Sequence, residues 1–262
     1  MIGIIGAGAM GEVFVAGLLR QGIVPERLVI AEKHDERARQ IVDRYGVRVV
    51  TAGEASRECA TILLLVKPQD VASVLGEIGP GLTDGAVVIS LAAGVRLATL
   101  EAALPGVAVV RAMPNTPALV DLGITAISPG TSCSPEQVAY VEGLLSAVGP
   151  VVCVPEALQD AVTATSGSGP AYVYLLIEAM VASAEGLGLP PEVAQELVIH
   201  TVLGAATMAA QPAADVGILR QQVTSPGGTT AAALTVFAAE GFPRIVREAM
   251  TAARDRGREL GA

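Results

Sequence analysis

Residues 2–11 read IGIIGAGAMG, an apolar run that closes on Gly6-Ala7-Gly8-Ala9-Met10-Gly11. Met1–Ile5 has the character of a short strand. Glu12–Gln21 has helical spacing, with Val13, Ala16, Gly17 and Leu18 on one face. A GxGxxG set between a strand and a helix is the context in which that pattern cradles a dinucleotide. Gly6 permits the tight turn, Gly8 lets the backbone approach a pyrophosphate, and Gly11 lets helix pack closely on strand. The start of the helix adds free N–H groups and a positive dipole end for the phosphates. A glycine-rich turn without a ligand is the blander alternative, and the position of the motif favours the cofactor.

Working outward, short β-type runs alternate with helical patterns. Leu28–Ala31 is a second strand and Asp35–Tyr45 a charged amphipathic helix. Thr61–Val66 is apolar throughout, as a strand buried on both faces should be. Gln69–Glu77 is helical; Ala86–Ser90, Val107–Val110 and Ile124–Ile127 are further strands. Pro135–Val148 is a helix with Ser134 at its cap, and Val151–Val154 is a last strand. Strands separated by helices predict a largely parallel, doubly wound α/β sheet. After Pro155 only helical stretches follow, including Tyr172–Leu187 and Glu192–Ala210, joined by Gly188-Leu189-Pro190-Pro191. The shift in composition predicts two domains, 1–154 and 155–262.

Composition bounds the function. The 262 residues are 52% hydrophobic and only 16% charged, with a mean hydropathy of +0.56. About 25% charged is ordinary. Yet each long uncharged stretch is broken by Pro, Gly or polar residues, so no membrane span or signal peptide is expected. The net charge of −9 and the lack of a basic cluster argue against nucleic acid. Cys59, Cys133 and Cys153 have no metal or disulfide spacing and read as reduced thiols of a cytoplasmic protein. With only His34 and His200, neither a histidine triad nor a metal site is expected. His200 reads as a core or interface residue. Such apolar helices predict an oligomer that buries them between subunits.

Other candidates lie at strand ends. Glu32 follows the second strand, where an acid accepts from a ribose 2′-OH and points to NAD(H). Lys33, His34 and Arg37 could instead hold the 2′-phosphate of NADP(H). Val66, Lys67 and Pro68 end the Thr61–Val66 run in a cofactor-contact position. Ala92, Ala93 and Gly94 form either a close approach to a flat ring or a plain turn. Arg111–Pro117 (RAMPNTP) is a proline-stiffened loop in which Asn115 and Thr116 offer hydrogen bonds. Ser225–Thr230 (SPGGTT) opens a helix and suits a small anion such as a carboxylate. Capping between helices is its plainer explanation.

Taken together, GAGAMG at residue 6, LLVKP ending at Pro68, SLAAGV at Ser90–Val95, RAMPNTPALV at Arg111–Val120, SGSGPAYVY at Ser166–Tyr174 and VTSPGGTT at Val223–Thr230 resemble the pyrroline-5-carboxylate reductase family across essentially the whole chain. The resemblance implies a Rossmann-type domain followed by an all-α dimerisation domain. It implies hydride transfer from NADPH or NADH to the C=N carbon of 1-pyrroline-5-carboxylate, giving L-proline, the last step of proline biosynthesis. It further implies an obligate homodimer whose dimers often assemble into a larger ring. By motif, Gly6 to Gly11, Lys67, Pro68, Ala92, Ala93 and Gly94 would bind the cofactor. Ser225, Gly228, Thr229 and Thr230 would hold the substrate, with Thr230 as the catalytic hydroxyl near the ring nitrogen, and Glu156 would lie near the substrate. Glu32 departs from the family, whose members often carry small or hydroxylated residues there. Dehydrogenases of β-hydroxyacids need a lysine in the helical domain, and this chain has none after Lys67.

Overall fold

The computed structural model describes residues 1–260. The first unit is built on an eight-stranded sheet in the order β3-β2-β1-β4-β5-β6-β7-β8. The strands are β1 (Ile2–Ile5), β2 (Leu28–Ala31), β3 (Arg48–Val49), β4 (Thr61–Leu64), β5 (Val87–Ser90), β6 (Ala108–Met113), β7 (Thr125–Pro129) and β8 (Val151–Cys153). Strands β1 to β6 run parallel; β7 is antiparallel to β6, and β8 runs parallel to β7. The expected parallel sheet is therefore present with a reversed two-strand edge. The exposed two-residue β3 adds a strand that no hydrophobic pattern announced.

The central strands are buried on both faces, which explains their unbroken apolar runs. Along β1, Ile4 faces one layer with Phe14, Leu18 and Ile30, while Ile5 faces the other with Val71, Leu75 and Leu100. The first layer carries α1 (Ala9–Arg20), α2 (Asp35–Tyr45) and α6 (Pro135–Leu145). The second carries α3 (Ala52–Glu58), α4 (Pro68–Ile78) and α5 (Leu97–Ala103). Gly17 brings α1 against its neighbour: a Cβ there would lie 2.8 Å from the Ala147 carbonyl oxygen. The order reverses between β1 and β4, so their carboxyl ends flank the crevice where open α/β sheets bind ligands.

By compactness the chain divides after Ser168, not at the composition shift after residue 154. The short α7 (Gln159–Val162) stays with the sheet unit because buried Gln159 donates to Ser128 Oγ at 2.9 Å. A π-turn over Thr163–Gly167 follows, and the end of the last helix, from Ala253, also belongs to this unit.

The second unit, Gly169–Ala252, is all helical: α8 (Gly169–Gly186), α9 (Pro191–Ala209), α10 (Val216–Gln222), α11 (Thr229–Ala239) and most of α12 (Phe242–Leu260). Its only buried apolar residues are Ala194 and Val198, while Leu175, Leu187, Leu203 and Phe237 stand exposed. His200 is also exposed on α9, so it is not a core residue of this chain. No helix among the described residues is long and apolar enough to cross a membrane.

One polar hub ties α1 to α2. Glu12, in the first turn of α1, accepts from Arg37, Arg44 and the Tyr45 hydroxyl, the last at 3.0 Å. Burial pushes its carboxyl up, but the hydrogen bonds of Arg37 and Tyr45 and the charges of Arg37 and Arg44 outweigh burial and hold it below the ordinary carboxylate range. A carboxyl depressed in the folded state stabilises fully above its unfolded value and loses that contribution as pH falls through the folded one. Melting temperature should thus fall as pH drops through and below the ordinary carboxylate range. Glu12→Gln should flatten that fall and cost about 1–2 kcal/mol at neutral pH, followed by circular dichroism.

Candidate functional site

The carboxyl edge of the sheet is organised around the peptide of Ala7. Gly6 has φ +95°, and a Cβ on it would lie 2.7 Å from the Leu65 carbonyl oxygen. A Cβ on Gly11 would lie 2.2 Å from the Gly6 carbonyl oxygen. Both glycines are thus demanded by the chain itself. Gly8 is different. Its φ is −62°, nothing lies within 4 Å of where its Cβ would be, and it is exposed. Neither strain nor packing asks for glycine there, whereas the close approach of a diphosphate does.

The turn is held from outside. Glu32 Oε2 accepts the Ala7 N–H at 2.9 Å, and Arg37 Nε donates to the Ala7 carbonyl at 2.9 Å. A second Arg37 nitrogen donates to the Gly8 carbonyl at 3.3 Å. Arg37, a candidate with Lys33 and His34 for a 2′-phosphate, spends its guanidinium on the turn and on Glu12. Lys33 and His34 are exposed, and Lys33 Nζ lies 3.2 Å from Asp70. Glu32 sits half-buried at the lip of the turn.

Helix starts decide where an anion can dock. Helix α3 has a complete capping box from Thr51 and Glu54, and α6 one from Ser134 and Gln137. Helix α1 begins at Gly8 and α4 at Lys67, both without a side-chain cap. These two helices follow directly on β1 and β4, so their free first-turn N–H groups stand at the carboxyl ends of the two strands, with Ala9 and Met10 opening α1 and Val66 and Pro68 flanking the start of α4. Helix α5 differs again: its Leu97 N–H is taken by Glu156 Oε1 at 2.6 Å.

The remaining expected residues fall into place unevenly. Ala93 is exposed and Gly94 has φ +77°, but the Ala92 side chain is turned into the core at 4% exposure. The Asn115 side-chain oxygen Oδ1 accepts the Ile124 N–H at 2.9 Å and closes the loop after β6. Glu156 also pairs with buried Arg111 at 3.1 Å, and Arg111 approaches Asp160 at 3.9 Å. That cluster has no local signature in sequence, because its members come from β6, the segment after β8, and α7.

In the helical unit Gly227 has φ +70°, and Ser225 Oγ lies so close to Gly228 that a Cβ there would be 2.4 Å away. Gly228 caps α11 without a side chain, leaving the N–H groups around Thr229 and half-buried Thr230 for an anion. Each unit thus carries an uncapped helix start beside hydroxyl or glycine residues. Among the described residues no cluster of His, Cys, Asp or Glu is arranged to hold a metal ion.

A dinucleotide turn at a topological switch point, followed by a helical unit with its own anion-ready helix start, defines a nicotinamide-nucleotide oxidoreductase of the two-unit type. Comparison with known proteins narrows the class. Residues 156–260 match the family described as pyrroline-5-carboxylate reductase dimerisation, and residues 1–94 that described as NADP oxidoreductase coenzyme F420-dependent. A pyrroline-5-carboxylate reductase of Synechocystis is 42% identical, covering 99% of this chain and 98% of its own. That of Mycobacterium leprae is 41% identical, at 99% and 96%. A solved pyrroline-5-carboxylate reductase of Coxiella burnetii superposes with a TM-score of 0.95 at 36% identity, covering 100% of this chain and 98% of the other. The chain belongs to the pyrroline-5-carboxylate reductase family.

The contrast between two glycines is testable. Gly8→Ala should keep the melting temperature of the parent, since its Cβ meets open space, yet weaken cofactor binding at least about tenfold. Gly11→Ala should lower the melting temperature by several degrees, because backbone must move. Calorimetric titration with NADH and NADPH, beside thermal melts, reads both. Equal effects of the two substitutions on stability would contradict the assignment.

Proposed function

We propose that the protein reduces 1-pyrroline-5-carboxylate to L-proline with NADH or NADPH, as the last step of proline biosynthesis in the cytoplasm. The observation that carries this reading is the pair of helix starts capped only by glycine, Gly8 and Gly228, one suited to a diphosphate and one to a carboxylate. The nicotinamide cofactor, when bound, supplies the hydride. The chain supplies position and charge. Gly6, Ala7, Gly8, Ala9, Met10 and Gly11 present backbone to the diphosphate, and Val66, Lys67, Pro68, Ala93 and Gly94 line the adjoining edge. Ala92 serves through its backbone. Asn115 stiffens the loop beyond β6 through its bond to Ile124. Glu156, already engaged by Arg111 and Leu97, acts by positioning rather than by touching substrate.

Ser225, Gly228 and Thr229 hold the substrate carboxylate at the head of α11. Thr230 orients the ring nitrogen and holds the proton there, through water if needed, so that the imine carbon is electrophilic. Residues 1–154 act as the dinucleotide-binding domain and 155–262 as the helical dimerisation and substrate-binding domain. The exposed apolar helices fit an obligate homodimer, extended in a ring of dimers as the family resemblance implies.

The decisive assay follows NADH and NADPH oxidation separately with pyrroline-5-carboxylate. Turnover with at least one is expected; none with either would defeat the proposal. Thr230→Ala should lose about a hundredfold in kcat, as removal of a proton-handling group does. Ser225→Ala should chiefly raise KM, if its bond is alike in ground and transition states. A Thr230→Ala enzyme with unchanged kcat and KM would remove that residue from the mechanism.

A further inference from the structure

We infer that Glu32 makes this chain select NADH over NADPH, an inference that rests on the reductase reading above. Glu32 stands at the end of β2, beside the turn that takes the diphosphate. Its two oxygens are oriented by two backbone donors, Ala7 N–H at 2.9 Å and His34 N–H at 3.0 Å. A carboxylate oxygen that accepts one hydrogen bond keeps a further lone pair. The fixed, half-buried carboxylate thus presents acceptors to a ribose diol, and it repels the roughly −2 charge of a 2′-phosphate.

The cations that could offset this repulsion are otherwise committed. Arg37 donates to the Ala7 and Gly8 carbonyls and pairs with Glu12, so turning it toward a 2′-phosphate would release the very turn that binds the diphosphate. Arg39 donates to the Asp35 carbonyl. Lys33 is paired with Asp70. Helix α2 starts nearby at His34 without a side-chain cap, which alone would welcome an anion, but Asp35 and Glu36 already occupy its first turn. Around Glu32, then, this helix start adds negative charge, while Arg37 is held by the turn.

The test is a fluorescence titration of the substrate-free protein with NADH and with NADPH. The parent protein should bind NADH about tenfold or more tightly than NADPH, the size expected of one nearby like-charge contact. Glu32→Gln keeps an acceptor for Ala7 and should bring the two affinities together, mainly by tightening NADPH. Glu32→Asp should keep the preference. Arg37→Met should weaken both cofactors by a similar factor, since it braces the turn they share. The parent ratio is decisive even if a variant fails to fold. NADPH bound as tightly as NADH, or a ratio unmoved by Glu32→Gln, would overturn the inference and leave the reductase reading standing. Binding of neither would overturn both.

Discussion

Apolar surface must leave water, and in the helical unit the chain cannot do this for itself. Between Gly169 and Ala252 only Ala194 and Val198 are buried apolar residues, although α8, α9 and α11 are rich in Leu, Val and Ala. A buried Leu or Val contributes roughly 1.5–3 kcal/mol, so leaving nearly all such groups of this unit wet would remove most of its driving force to fold. The head of α11, with Ser225 and Thr230, is built on that unit. Something must cover these helices, and the match of residues 156–260 to a family described as a dimerisation segment points to oligomerisation.

The sheet unit is organised on the opposite principle. Its core is complete on both faces, and the turn after β1 is fixed by polar bonds to a single residue. Ala7 is gripped through its N–H by Glu32 and through its carbonyl by Arg37, and Arg37 is in turn neutralised by Glu12. This bracing sets the Gly6–Gly11 turn before any ligand arrives, so little ordering entropy would remain to be lost on binding. Gly8 is then the one glycine of the motif whose reason lies outside the chain.

Much of this was legible in sequence, and the reasons differ by feature. The GAGAMG turn, the apolar Thr61–Val66 run and the long helices after Pro155 each impose a local pattern that a reader can follow. The reversed edge at β7 was not legible, because an apolar run looks the same in either direction. Strand β3 was missed because both its residues, Arg48 and Val49, are exposed and leave no apolar period. That the Ala92 side chain faces the core was not legible either, since it depends on one residue's register after β5. The bonds of Arg37 and Glu156 were hidden for a common reason. A long charged side chain takes whichever partner the tertiary fold brings near, here the Ala7 carbonyl and the Arg111 guanidinium.

The claim that joins these parts is that the helical unit, and with it the substrate site, exists only in an assembly. The most direct measurement is sedimentation velocity across a dilution series, paired with specific activity at each concentration. The account predicts a dimer or larger species wherever activity is found, with activity and assembly lost together on extreme dilution. A stable monomer that retained full activity would contradict it.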